Sequence, residues 1–242
     1  MGHGGSVEQH SIWQSLLLHL LPGILVGGCY YLLLPAVHYR GYPSLMALML
    51  AAALILVPTQ LGYLLYRSKR EGLTDPLGVL RYRRSLSFTQ YILWVPAVFI
   101  TLGVIFTTLR PVDVFLKEQL FAWIPALDSG LQEGYSRGAL IQTYLMVAIF
   151  GVVLAPTVEE LYFRGYLLPR MRFAGRWSLL VHSFLFALYH VWTPWMLLTR
   201  TLGTVPLAYV ARQRSLYVAI VVHVAVNAID VIVGLAFILG MT

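Results

Sequence analysis

Seven apolar runs separated by short polar turns constrain this chain more than any other feature of its sequence. A helix that crosses a bilayer requires about 20 apolar residues, and most of the runs reach that length. Only 11% of the residues are charged, against about 25% in a typical soluble domain. We therefore predict an all-α, polytopic transmembrane helical bundle of about seven helices. The runs cover residues 12–34, 45–66, 89–109, 139–168, 177–193, 195–211 and 217–241.

The length of the chain limits it to one membrane domain. About seven spans of roughly 20 residues use most of the 242 residues, so no soluble domain of ordinary size fits beside them. We expect a single membrane domain over residues 1–242. No Lys or Arg precedes the first apolar run, which therefore lacks the basic start of a cleavable signal peptide and is expected to remain as a helix. The single cysteine, Cys29, excludes an intrachain disulfide and a multi-cysteine metal site.

The distribution of basic residues indicates how the helices are oriented. Twelve of the 17 Lys and Arg residues lie near the ends of the second, fourth and sixth runs or in the turns that follow them. Cytoplasmic loops carry the excess of positive charge, so we expect a cytoplasmic N-terminus in an inner (plasma) membrane. These turns also explain the net charge of +7. The lipid bilayer is the expected partner, and nucleic acid is not.

Two segments fit the simple pattern less well. The sixth run contains Arg200, Gly203 and Pro206, which a membrane helix tolerates where its neighbours satisfy the backbone. The polar interval 110–137 contains apolar residues at three- and four-residue spacing over 113–124. This spacing predicts an amphipathic helix that lies at the membrane surface.

Adjacent glutamates inside the fourth run indicate a functional site. A charge near the bilayer centre costs at least about 2.5–3.5 kcal/mol, so such residues are functional candidates. Glu160 and Arg164 are four residues apart and stack on one helical face, where they can form an ion pair. Glu159 points about 100° away and is free for other contacts. The alternative is a charged helix end whose side chains reach the headgroups, but glutamate side chains are short for that.

Polar residues in the fifth and seventh runs reach a similar depth. His190 lies late in the fifth run, and His223 and Asn227 share one face of the seventh. At about 1.5 Å per residue, these side chains and Glu159 all lie below the cytoplasmic surface. We interpret His182, two turns before His190, as a packing residue or a partner of the site. Three helices would thus surround one cavity that opens to the cytoplasm.

The grouped side chains are those that hydrolysis requires. A carboxylate and a histidine can hold and deprotonate a water molecule. A second histidine and an asparagine can donate hydrogen bonds to the oxyanion that forms at an attacked carbonyl.

Three motifs in this order resemble the motif set of the CPBP intramembrane proteases. That family joins CAAX prenyl endopeptidases with bacteriocin-processing and immunity proteins. The resemblance covers about residues 140–238, while the first three runs match only as apolar helices. It also implies an alternative count of about eight spans. The motifs are Glu159-Glu160-x-x-x-Arg164, Phe186-x-x-x-His190 and His223-x-x-x-Asn227.

The resemblance implies a role for each motif residue. Glu159 and His190 would activate water, and His223 and Asn227 would stabilise the oxyanion. Glu160 and Arg164 would support the geometry of the site.

The family is often described as metalloproteases, yet this sequence contains no His-Glu-x-x-His zinc motif. We expect a glutamate-dependent mechanism without a cofactor. If a divalent metal such as zinc binds, its ligands would be Glu159, His190 and His223.

The resulting prediction is an intramembrane endopeptidase that acts on a membrane-associated substrate. A lipidated substrate, such as a prenylated CAAX-type protein, and a peptide precursor both fit. Arg200 has a substrate carboxylate and Glu160 as candidate partners. One alternative is a non-catalytic membrane scaffold or immunity protein. Another is an ion-coupled carrier, which the lack of an internal repeat disfavours.

Overall fold

The computed structural model describes residues 7–132 and 134–240, which contain seven main helices and no strand. Five helices are long and apolar enough to cross a membrane, namely α1, α2, α3, α4 and α7. The predicted all-α, polytopic helical bundle is therefore confirmed. The helices are α1 (Ile12–Tyr39), α2 (Ser44–Arg70), α3 (Phe88–Gln119), α4 (Arg137–Arg170), α5 (Ser178–Tyr189), α6 (Leu197–Gln213) and α7 (Leu216–Leu239).

The fifth apolar run forms a shorter helix than its length predicts. α5 has 12 residues and ends immediately before His190. At about 1.5 Å per residue it spans roughly 18 Å, less than the ~30 Å hydrocarbon core. Pro194 begins a separate short 3₁₀ helix, Pro194–Met196, because proline disfavours helical geometry in the residue before it. The chain then continues into α6, so His190 lies at a helix end.

The predicted surface helix over 113–124 is wrong, because α3 continues to Gln119 without a break. Pro111 lies inside α3, where membrane helices tolerate the missing hydrogen bond. Asp113 is buried and accepts a 2.6 Å hydrogen bond from the Thr199 hydroxyl of α6. The ammonium group of Lys117 lies 4.7 Å from the Trp195 ring. Asp113 and Lys117 thus contact Thr199 and Trp195. The polar face of this part of α3 packs against protein, which explains why the segment has the residue pattern of an amphipathic helix.

Helix α4 is irregular on both sides of the two glutamates. It adopts π-helical geometry over Val147–Leu154 and Glu160–Leu167, separated by the α-helical turn Ala155–Glu159. Pro156 lacks an N–H group and interrupts the ladder of hydrogen bonds at this turn. Short π-helical stretches occur frequently at functional sites. Glu159 thus ends the α-helical turn, and Glu160 begins the second π-helical stretch, where the helix is wider.

A close approach of α7 to α4 brings the motifs together. Gly234 of α7 packs against the Tyr144 ring of α4, and any side chain at position 234 would overlap that ring. Further along the same interface, α7 contributes His223 and Asn227. Large apolar side chains on the outside of the bundle, such as Trp13, Leu32 and Ile232, are exposed, as expected for lipid-facing positions.

Candidate functional site

The two adjacent glutamates of α4 contact the same imidazole of α7. Glu160 Oε1 lies 2.9 Å from His223 Nδ1. Glu159 Oε2 lies 3.9 Å from His223 Nε2. Both ring nitrogens of His223 therefore face carboxylate oxygens, and only the contact of Nδ1 with Glu160 is short enough for a hydrogen bond. Glu159 was expected to be free for other contacts, and the structure shows that it shares His223 with Glu160.

The predicted ion pair between Glu160 and Arg164 is present. Arg164 Nη1 lies 3.1 Å from Glu160 Oε1, and both side chains are fully buried. The guanidinium also lies 3.8 Å from the centre of the Phe186 ring, a cation–π distance. Arg164 therefore balances the charge of the Glu160 carboxylate. Charge balance of this kind is what permits ionised groups in a membrane interior.

His190 is held at the end of α5 with one nitrogen available for chemistry. Its Nδ1 lies 2.9 Å from the main-chain carbonyl oxygen of Phe186. A carbonyl oxygen can only accept, so Nδ1 carries the hydrogen and Nε2 of the neutral ring has the free lone pair. The rings of Phe186 and Trp192 lie 4.9 Å and 5.2 Å from the His190 ring and limit its rotation. This geometry gives His190 the tautomer that a general base requires.

Asn227 lies one helical turn after His223 on the inner side of α7. Its Nδ2 donates a 2.9 Å hydrogen bond to the carbonyl oxygen of Gly151. This contact orients the carboxamide and uses one of its two N–H groups. The second N–H of Asn227 is available as a donor.

Phe186 connects the three motifs in space. Its ring centre lies 3.8 Å from the Arg164 guanidinium, 4.9 Å from the His190 ring and 6.4 Å from the His223 ring. The structure thus gathers motif residues from α4, α5 and α7 around one aromatic side chain. The catalytic roles of Glu159, His190, His223 and Asn227 remain predictions, as do the supporting roles of Glu160 and Arg164.

Two further residues belong to this cluster and were missed from the sequence. The fully buried hydroxyl of Tyr189 lies beside the Glu159 carboxylate. Gln60 of α2 donates a 3.2 Å hydrogen bond to the same hydroxyl. The available signal was weak, because a glutamine in an apolar run and a tyrosine next to His190 are both common in helix interfaces.

His182 has a partner in α1 that sequence spacing did not reveal. His182 Nδ1 lies 3.1 Å from His19 Nε2, and both rings are fully buried. His19 Nδ1 lies 2.7 Å from the carbonyl oxygen of Ser15, so it carries the hydrogen. His182 Nδ1 then donates to His19 Nε2. The pair connects α5 to α1.

The site residues do not form a metal-binding group. In the described part of the chain, no three His, Cys, Asp or Glu side chains are arranged to hold a metal ion. Zinc requires ligand atoms at about 2.0–2.3 Å. Both nitrogens of His223 face carboxylate oxygens, whereas His190 keeps Nε2 free, so only one imidazole of the set is open to a metal. The conditional ligand set of Glu159, His190 and His223 therefore does not fit a metal in this arrangement, and we derive no step through one.

The comparison with protein families agrees with the motif geometry. Residues 141–229 match the family model described as type II CAAX prenyl endopeptidase Rce1-like. No curated protein and no solved structure matches the chain. The matched region runs from α4 into α7 and contains Glu159, Glu160, Arg164, His190, His223 and Asn227. Over this region the chain is similar to the type II CAAX prenyl endopeptidases, which agrees with the resemblance of its motifs to the CPBP intramembrane proteases.

Proposed function

We propose that this multi-pass membrane protein hydrolyses a peptide bond with Glu159 as the group that activates water. The observation that carries the proposal is the difference between the two adjacent glutamates. Glu160 is fully buried and lies against both Arg164 and His223. Glu159 keeps a slightly accessible side chain and approaches His223 only at 3.9 Å. One carboxylate is thus committed to structure, and its neighbour is available for chemistry.

The proposed reaction begins with a water molecule between Glu159 and Nε2 of His190. Glu159 takes a proton as the water oxygen attacks the carbonyl carbon. The carbonyl oxygen becomes an oxyanion, which accepts hydrogen bonds from His223 Nε2–H and the second N–H of Asn227. The C–N bond then breaks, and the proton passes from Glu159 to the leaving amine.

Neighbouring side chains support these roles. The Tyr189 hydroxyl, itself held by Gln60, restricts the Glu159 carboxylate. The hydrogen bond from Asn227 to the Gly151 carbonyl keeps the carboxamide in one orientation. The proposed steps need no metal, because a carboxylate base and two neutral or cationic donors account for each proton and charge.

The proposed substrate is a membrane-associated peptide or protein. A lipid-anchored chain, such as a prenylated CAAX-type protein, would reach a site inside the bilayer by lateral diffusion, and a peptide precursor would do so through its apolar segment. The basic turns favour a site that opens to the cytoplasm of a cell with this protein in its inner membrane.

The test is mass spectrometry of the products formed when the purified, reconstituted protein is incubated with a lipidated peptide library. The wild type is compared with Glu159→Gln and with Glu118→Gln, a control at an exposed glutamate of α3. We expect products from the wild type and the control, with or without a chelator, and none from Glu159→Gln. Equal products from Glu159→Gln would contradict the catalytic assignment, and loss of products with chelator would indicate a metal. No products from any protein would favour the scaffold or the carrier.

A further inference from the structure

Arg200 is a cation inside the apolar bundle, and none of the ion pairs among the described residues includes it. It lies in α6 and is half-buried. Among the described residues, no carboxylate oxygen lies within 4.0 Å of its guanidinium. Charged residues in membrane helices are rare and usually mark a substrate or ion path. An unpaired arginine at this depth therefore needs a functional explanation.

Asp113 of α3 acts electrostatically on this arginine, but its carboxylate is already engaged. Its Oδ1 accepts a 2.6 Å hydrogen bond from Thr199, the residue before Arg200. Asp113 lies within electrostatic range of the guanidinium without forming an ion pair. It therefore makes the buried cation less unfavourable and leaves the guanidinium free to bind another carboxylate.

The guanidinium is anchored on the turn that begins at His190. Arg200 Nη1 donates to the carbonyl oxygen of Thr193 at 3.2 Å and to its hydroxyl at 2.7 Å. The Thr193 N–H in turn donates a 3.0 Å hydrogen bond to the carbonyl oxygen of His190. Thr193 precedes the short helix Pro194–Met196, a position where threonine often caps the helix, yet its side chain makes no capping bond. The hydroxyl holds Arg200 instead.

This anchoring places a positive charge beside the proposed reaction centre. Arg200 lies within electrostatic range of both Glu159 and His190. One nitrogen of the guanidinium is used by Thr193, and the planar group retains further N–H donors. The parallel N–H groups of a guanidinium match the two oxygens of a carboxylate better than any other anion-binding side chain does.

We propose that Arg200 binds the free C-terminal carboxylate of the peptide substrate. The inference rests on the proposed peptidase activity and specifies its substrate: a chain end, bound on the His190 side of the scissile bond. An internal segment or an amidated peptide lacks the charge that Arg200 recognises.

A pair of substrates that differ only at the terminus tests this assignment. We would measure kcat and KM for one lipidated peptide as its free acid and as its C-terminal amide. The wild type is expected to prefer the acid by about tenfold or more in kcat/KM, mainly through KM, as for a charge-assisted hydrogen bond. Arg200→Gln should reduce the ratio of kcat/KM for the acid to that for the amide to about one. Arg200→Lys should keep part of the preference, and Arg110→Gln, at an exposed arginine of α3, should keep all of it.

Two outcomes of the kinetic experiment would overturn the proposal. Equal cleavage of acid and amide by the wild type would show that no terminal charge is recognised, with peptidase activity intact. An equal loss on both substrates in Arg200→Gln would make Arg200 a positioning residue for His190.

A binding experiment separates this inference from the peptidase proposal. Calorimetric titration of the Glu159→Gln protein with the acid and amide peptides should show tighter binding of the acid, and adding Arg200→Gln should abolish the difference. Equal affinity in Glu159→Gln would overturn the inference. A binding preference for the acid without cleavage of either peptide by the wild type would contradict the peptidase proposal and support the carboxylate site.

Discussion

Glu160 and His223 meet through a 2.9 Å contact between Oε1 and Nδ1, which joins α4 to α7 at the buried centre of the site. The same Glu160 oxygen lies 3.1 Å from Arg164 Nη1, so one carboxylate holds two cationic partners. Glu159, one residue earlier, approaches His223 from the other side of the ring. This arrangement separates a carboxylate that maintains structure from one that is available to react.

Removing the Glu160 carboxylate should lower stability more than removing that of Glu159. Glu160→Ala leaves Arg164 as a buried cation without its partner, which costs about 3–5 kcal/mol in comparable buried pairs. We expect a lower thermal unfolding midpoint in detergent for Glu160→Ala than for Glu159→Ala. Glu118→Ala, at an exposed position, serves as the control. An unfolding midpoint equal to that of the wild type would mean that the ion pair does not stabilise the bundle.

The proposed base should be needed for the reaction and not for the fold. Glu159→Gln keeps the size of the side chain and its contact with Tyr189, but the amide cannot take a proton from water. The expected loss of kcat is about 10²–10⁴-fold, the usual contribution of a general base. Product formation and the unfolding midpoint are measured on the same preparations. A large fall of the midpoint in Glu159→Gln would assign the carboxylate a structural role.

The donor from Asn227 should act in the transition state. Asn227→Ala removes the N–H proposed to reach the oxyanion, so kcat should fall by about 10²–10³-fold with little change in KM. Steady-state kinetics on a lipidated peptide measures both constants. A rise in KM at constant kcat would instead indicate that Asn227 binds the substrate in its ground state.

Stability should depend on pH through a histidine outside the spanning helices. The His10 side chain is buried, and the main-chain N–H of this residue donates a 3.0 Å hydrogen bond to the carbonyl oxygen of Arg170. Burial, aided by the charges of Arg170 and Arg67, lowers the pKa of His10 from 6.5 to about 4, although Glu8 opposes the shift. The unfolded chain thus takes up a proton at a higher pH than the folded chain does. The contribution of this pKa difference to the free energy of unfolding is fully present above pH 6.5 and is lost as the pH falls towards 4.

The free energy of unfolding is expected to decrease by on the order of 2 kcal/mol when the pH falls from 7 to 5. Thermal unfolding at the two pH values measures it, and His10→Gln should reduce the difference between them. If the variant shows the same pH dependence as the wild type, other groups are responsible.

The amino-acid sequence determined the features that depend on neighbouring residues along the chain. Apolar runs of sufficient length predicted the membrane helices, since lipid requires every backbone group to be bonded within its own helix. The spacing of Glu160 and Arg164 predicted their ion pair, because residues four apart meet on one helical face. The order of the three motifs also predicted the family, which the match over residues 141–229 bears out.

Only the tertiary structure decided which distant residues meet and where two segments end. His19 pairs with His182, and Gln60 with Tyr189, across more than a hundred residues of sequence. The packing of α3 against α6 extends α3 beyond Pro111, and a turn held by Thr193 ends α5 before His190. These contacts arise from the way separate helices pack, and helical periodicity relates only residues within one helix. The chain alone therefore identified the motif residues, and the packing of its helices decided the partners of each.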